Sequence, residues 1–259
     1  MKEDHRLLGT DKSPFDSRDW VAESILPEDA KAPGTLDLRP VLQNVRDQGC
    51  QGSCAAQTAA CMKEWQEYYD QGYNEHFSPQ FVYNQRDSEG EGMYSRDVMR
   101  ILSNIGICRE YDYVYGRIEP PEAIPEYLFE YSEGTRIEGY AQVQTIEGLK
   151  NALHRNGPCF IAFPVYNYGP RMWMPSVGEE FQGGHAMTVV GYAKDGFIIR
   201  NSWGKDWADE GYTIYPYSDW GSHWELWTTV DQNTNAPSPK PTWWESLMNA
   251  VKSWFGWLS

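Results

Sequence analysis

Apolar positions recur at helical spacing through residues 54–105 and at strand spacing through residues 159–230, so the chain reads as helical first and β-rich second. Cys54 to about Tyr69 reads as a helix after Ser53, a predicted N-cap. Its Ala55, Ala56, Ala59, Ala60 and Trp65 suit a closely packed, buried element. Ser78-Pro79 predicts a second helix start, with proline at the first helical position. Ser95 opens a third, with Val98, Ile101, Leu102 and Ile105 as its apolar stripe and Gly106 as its stop. A fourth runs from Thr145 to the Gly157-Pro158 break. Strands are predicted at Cys159 to Val165, Ala186 to Tyr192, Phe197 to Arg200, Tyr212 to Tyr215 and Trp224 to Val230. Segregated helices and strands predict an α+β architecture of two subdomains with a cleft between them.

The ends differ from this body. Residues 1–35 are polar and carry Pro14, Pro27, Pro33 and Gly34, which predicts an extended arm. The globular part is expected to open at Leu36-Asp37-Leu38-Arg39 and to close at residue 232. Residues 233–242 read as a linker. In residues 243–259, Trp244, Leu247, Met248, Val251, Trp254, Phe255 and Leu258 share one helical face, opposite Glu245, Asn249, Lys252, Ser253 and Gly256. Such a helix is about 24 Å long, too short to span a bilayer. Lys252 is its only basic residue, so membrane contact is not expected; docking on the body or on a protein partner is.

Composition narrows the function classes. With 259 residues, 41% apolar and 23% charged, the chain has the make-up of a globular protein with a sizeable core. A net charge of −15 speaks against nucleic acid as partner, because a phosphate backbone calls for clustered Lys and Arg. Met1 to Arg6 lack the apolar core of a secretion signal, and a cytoplasmic location is expected. The cysteines, Cys50, Cys54, Cys61, Cys108 and Cys159, are odd in number and form no dense framework, which predicts free thiols in a reducing compartment. Cys50 and Cys54 have a zinc-compatible spacing but no second close pair, so no metal and no cofactor are expected.

Cys54 lies in Gln48-Gly49-Cys50-Gln51-Gly52-Ser53-Cys54-Ala55, at the first turn of the predicted helix. Unpaired N–H groups and the positive end of the helix dipole favour thiolate there, and thiolate is the nucleophilic form. A thiolate nucleophile needs a base, and the base an orienting group. Of the five histidines, His185 is distinctive, because it follows Gly183-Gly184 and enters a predicted strand. Asn201-Ser202-Trp203-Gly204 ends the next strand, so adjacent antiparallel strands can set His185 beside Asn201.

These blocks, with Gly211-Tyr212, resemble those of the papain-like cysteine peptidases, the C1 family. The family's separations from nucleophile to His and Asn are about 130–150 residues. Subtraction of positions gives 131 and 147 here. Gly90-Glu91-Gly92, Ser95-Arg96-Asp97 and Gly106 to Glu110 are similar to the family's bacterial and viral branch. The resemblance implies a helical subdomain over about 36–145 and an antiparallel β-barrel-like subdomain over about 146–232, with the active site in the cleft. It implies Cys54 as nucleophile, His185 as general acid–base, Asn201 as orienting group and Gln48 as oxyanion donor together with the Cys54 N–H. Trp203 would shield the His185–Asn201 bond. Gly52, Gly90, Gly92, Gly184, Ala186 and Trp203 are the implied substrate-binding positions.

Two departures from the family pattern stand out. Gln51 occupies the position of the usual disulfide cysteine, and Ala55 replaces the usual aromatic residue after the nucleophile. The expected function is a cysteine endopeptidase acting on a protein or peptide substrate through an acyl-enzyme. The alternatives are a transpeptidase using the same intermediate, or a catalytically idle peptide-binding module. The resemblance also raises a virus- or phage-associated role. The short arm is expected either to pack along the body or to occupy the cleft as an inhibitor.

Overall fold

The structure, a computed structural model, describes residues 7–26, 32–72, 74–87 and 90–230. The linker at 233–242 and the amphipathic helix at 243–259 lie outside the described residues. The helices are α1 (Ala22–Ile25), α2 (Cys54–Gln71), α3 (Pro79–Tyr83), α4 (Ser95–Asn104), α5 (Glu126–Ser132) and α6 (Ile146–Asn156). The strands are β1 (Thr10–Asp11), β2 (Leu36–Asp37), β3 (Met93–Tyr94), β4 (Gly139–Gln142), β5 (Cys159–Val165), β6 (Gly183–Tyr192), β7 (Gly196–Arg200), β8 (Tyr212–Pro216) and β9 (Glu225–Val230).

β5 is apolar at almost every position because both of its faces are covered. Ile161, Phe163 and Val165 enter a core shared with Leu149, Leu153, Met187 and Val189. Phe160 and Ala162 point the other way, into a core built on α2 and α4. The sheet runs β4-β9-β5-β6-β7-β8, with β2 also on β6. All its pairings are antiparallel. α2 is buried nearly all round, and Ala55, Ala56, Ala59 and Ala60 have no exposed surface. Small side chains let it lie against β5 and β6, and its buried charged and amide groups take partners on the helix, as in Lys63–Glu67 at 3.0 Å, or off it, as in Gln66 Nε2 to Thr229 Oγ1 at 2.6 Å.

Ser78 and Thr145 act as side-chain caps, accepting from Phe81 N at 3.0 Å and Gly148 N at 2.9 Å. Ser53 does not cap α2; its hydroxyl is taken by Tyr115 at 2.6 Å, which ties the nucleophile loop to the 113–117 segment instead. Among the described residues no helix is long and apolar enough to cross a membrane.

Candidate active site

β6 and β7 bring the histidine and asparagine together. Their register pairs Thr188 with Arg200, and continuing it sets His185 across from Trp203 with Asn201 on the diagonal. His185 Nε2 lies 2.7 Å from Asn201 Oδ1. The Ser202 N–H donates to the same oxygen at 2.7 Å, so that atom is an acceptor and Nε2 must carry its hydrogen. The neutral ring is therefore the Nε2–H tautomer, and Nδ1 keeps the basic lone pair. The Trp203 ring lies 4.3 Å from the imidazole, and His185 and Asn201 are 0% and 3% exposed. The Trp203 ring therefore lies against the imidazole of the His185–Asn201 pair.

The thiol comes from the opposite side of the cleft, at the first residue of α2. Ala186 N–H donates to Cys54 Sγ at 3.4 Å, which fixes the residue next to His185 against the sulfur. Gln48 is held in one orientation: its Oε1 accepts from Ser202 Oγ at 2.8 Å, and its Nε2 donates to Gln51 O at 2.8 Å. Its loop is anchored from behind by Arg46, whose guanidinium pairs with Glu64 of α2 and with Glu110 and donates to Phe77 O at 2.9 Å. The structure therefore gathers Cys54, His185, Asn201 and Gln48 in one cleft.

The cleft already holds a peptide, and it is the chain's own N-terminal stretch. Gln48 Nε2 donates to Leu7 O at 3.0 Å. Thr10 Oγ1 lies 3.2 Å from Cys54 Sγ. Met93 N donates to Gly9 O at 2.9 Å, and β1 pairs with β3 in parallel register. Gly9 lies so close to Gly52 that a Cβ on it would sit 1.7 Å from the Gly52 carbonyl oxygen. A Cβ on Gly184 would sit 2.1 Å from Thr10 O. What faces the sulfur is an N–H and a hydroxyl.

This occupancy reverses one expectation. Burial pushes the Cys54 thiol above its ordinary value, against the hydrogen bonds from Thr10, Ala186 and Gly9 that favour thiolate. With the cleft filled, the helix terminus does not win.

Of the implied substrate-binding positions, Gly52, Gly184 and Ala186 line the occupied groove, and Gly92 meets Asp11. Gly90 lies on an exposed bend, its carbonyl accepting from Arg86 Nε at 3.3 Å. The sequence reading missed Glu225, which sits across β5 from Ala186 through Ala162. Its Oε1 accepts from Ser13 N at 3.0 Å and Ser13 Oγ at 3.1 Å, and its Oε2 from Trp227 Nε1 at 3.0 Å. The available signal was one carboxylate inside the apolar run Trp224-Glu225-Leu226-Trp227. All five cysteines are free thiols, Cys50 exposed and the others buried.

The sequence profile described as papain family cysteine protease matches residues 32–221. The chain belongs to the papain family of cysteine proteases. Among its relatives is an uncharacterized peptidase C1-like protein of Acanthamoeba polyphaga mimivirus, 27% identical over 216 residues, covering 71% of this chain and 69% of that protein. A cathepsin L-like peptidase of Aedes aegypti is 28% identical over 212 residues, covering 73% of this chain and 60% of the relative. The solved structure of xylellain, a cysteine protease from Xylella fastidiosa, superposes with a TM-score of 0.75 at 27% identity, covering 86% of this chain and 96% of xylellain. A viral and a bacterial papain-family relative agree with the branch that residues 90–110 resemble.

Proposed function

We propose that this chain is a cysteine endopeptidase that acts on protein or peptide substrates through an acyl-enzyme. The observation that carries this reading is that a peptide strand lies across Cys54 Sγ with a carbonyl hydrogen-bonded to Gln48 Nε2 at 3.0 Å. A groove that takes one peptide backbone in this way suits another as substrate.

With the cleft open, His185 Nδ1 takes the Cys54 proton, and the sulfur attacks the scissile carbonyl carbon. An Sγ–C bond forms and the carbonyl π pair moves to oxygen, where Gln48 Nε2 and the Cys54 N–H stabilise the charge. Asn201 holds the imidazolium in register without adding a charge that would pin the proton. The C–N bond then breaks, with the His185 proton passing to the leaving amine. Water, activated by the same imidazole, attacks the thioester and returns the thiol.

The test uses Gly9→Val, which cannot keep its close approach to the Gly52 carbonyl and so clears the cleft, incubated with a small activated peptide ester and followed by mass spectrometry. The expected result is a single acyl adduct on Cys54 that decays to acid in water and is absent in Cys54→Ser. Decay only when an amine is added would sink hydrolysis in favour of transpeptidation. No adduct would sink both.

A further inference from the structure

The two groups assigned to the oxyanion, Gln48 Nε2 and the Cys54 N–H, come from opposite ends of one loop. A hydroxyl from outside that loop joins the two ends. Tyr115 Oη donates to Gln48 O at 2.8 Å. A phenol has one hydrogen to give, so in the 2.6 Å contact between Ser53 Oγ and Tyr115 Oη the serine is the donor. The order is Ser53 Oγ–H to Tyr115 Oη–H to the Gln48 carbonyl. Gln48 and Ser53 are 1% and 0% exposed, and Ser53 directly precedes Cys54. Gln48 O also accepts from Gln51 N, at the longer distance of 3.4 Å. Ser53 meanwhile makes no side-chain cap to α2, the bond its residue type favours at a helix start.

Two buried amides hold Tyr115 in that place. Gln80 of α3 and Asn84 just after it are buried, and Gln80 Nε2 donates to Asn84 Oδ1 at 2.8 Å. Their other bonds reach the segment that carries Tyr115. Gln80 Oε1 accepts from Gly116 N at 2.9 Å, and Asn84 Nδ2 donates to Tyr113 Oη at 2.8 Å and to Arg117 O at 3.0 Å. Ser78 Oγ, besides capping α3, donates to Tyr113 O at 2.6 Å. Tyr115 is thus pinned through the residues on both sides of it. Burying amides is costly unless they are paired, and here the pairing goes to one loop. Burial also pushes the Tyr115 hydroxyl above its ordinary value, so the donor to Gln48 keeps its proton through neutral and mildly alkaline pH.

We propose that Tyr115 is a positioning residue of the oxyanion site: its hydroxyl holds the Gln48 end of the loop against the Ser53–Cys54 end and so sets the separation of the two oxyanion donors. It acts through Gln48 and Ser53, not on the reacting atoms. Its effect on rate rests on the peptidase reading above; the geometry does not. Without the hydroxyl, Gln48 O keeps only the longer bond from Gln51, and Ser53 Oγ is released to turn toward the first N–H groups of α2. A donor that drifts from the place where charge develops is lost to the transition state more than to substrate binding.

The test is single-turnover acylation of Cys54 by a peptide ester in the full chain carrying Gly9→Val, followed by mass spectrometry over a range of ester concentrations. Adding Tyr115→Phe should lower the saturating rate by about 10–100-fold, less than or equal to the loss of a whole oxyanion donor. The half-saturating concentration should change by less than about twofold. Ser53→Ala breaks the other leg and should slow the same step. The two changes together should be no slower than the worse one alone, because both break one chain. Alkylation by iodoacetamide forms no oxyanion and should keep its rate within about twofold. An unchanged acylation rate in Tyr115→Phe, or equal slowing of acylation and alkylation, overturns the proposal. A second readout needs no turnover. In the nitrogen-15-labelled Gly9→Val chain, Ser53→Ala should shift the Gln48 side-chain amide resonance, transmitted through the Tyr115 hydroxyl, and should not do so once Tyr115→Phe is present. A Gln48 amide that ignores Ser53→Ala overturns the positioning. If Gly9→Val is itself not acylated, the peptidase reading falls, and the resonances still decide the role of Tyr115.

Discussion

At the residue scale the site is arranged around one unambiguous proton position. Two donors converge on Asn201 Oδ1, so the His185 hydrogen sits on Nε2 and the lone pair on Nδ1. Asn201→Ala removes the acceptor that selects this tautomer. With the cleft cleared by Gly9→Val it should lower kcat more than it raises KM, and Asn201→Gln should not restore the rate. Gln48→Ala removes one oxyanion donor and should lower kcat by about 10²–10³ in the same form. Steady-state kinetics of Gly9→Val, alone and combined with each change, reads both effects. The four positions were legible from short blocks and their spacing. The state of the thiol was not, because it depends on Leu7 to Thr10, which carry no local signal of where they go. Their place is set by the shape of a groove assembled from residues 48–52, 92–93 and 183–186.

At the element scale the best-read parts were those with both faces buried. Their apolar runs are continuous: β5 was expected at its observed bounds, β6 begins three residues earlier than expected and β7 one residue earlier. β4, with the sequence Gly-Tyr-Ala-Gln and mostly half-buried positions, gave no period to read. α5 was also missed, since its seven residues are too few to display a stripe. The end of α6 is set by a close approach. Gly157 has φ of 81°, and a Cβ there would sit 2.1 Å from the Trp65 ring of α2. Gly157→Ala should therefore destabilise by about 1–3 kcal/mol, read as a lower urea midpoint with unchanged slope. Buried thiols on these elements give a pH dependence. Burial pushes Cys159 at the head of β5 up to about 12, and Cys108 likewise up to about 12. An unfolded thiol ionises near pH 8.5, so the unfolded chain loses protons that the fold retains. Stability is full below about pH 8.5 and falls as pH rises toward 12, by about 2 kcal/mol per thiol at pH 10. Urea midpoints at pH 7, 8.5 and 10 should show this slope, and Cys159→Ala should flatten it.

At the scale of the whole molecule, the N-terminal stretch joins the two faces of the cleft. Residues 13–23 touch β9 through Glu225, α4 through Arg96, β4 through Gln142 and the head of α6 through Glu23. Proline content and polarity predicted an extended arm, but extension does not mean detachment: Ala22 lies in the core. This docking was hidden in the sequence because residues 13–23 are stitched to the body by isolated side chains rather than by a periodic face. Since Lys12 alone separates the residues in the cleft, 7–11, from Ser13, which is held on Glu225, the cleft segment is a ligand on a very short tether. Its concentration at Cys54 is fixed by geometry, on the order of millimolar or above for short linkers. Dilution cannot release it, and latency should be the same in a crowded compartment and a dilute assay. A free substrate must compete with that local concentration, so even a modest intrinsic affinity of residues 7–11 would set a high threshold of substrate before turnover begins.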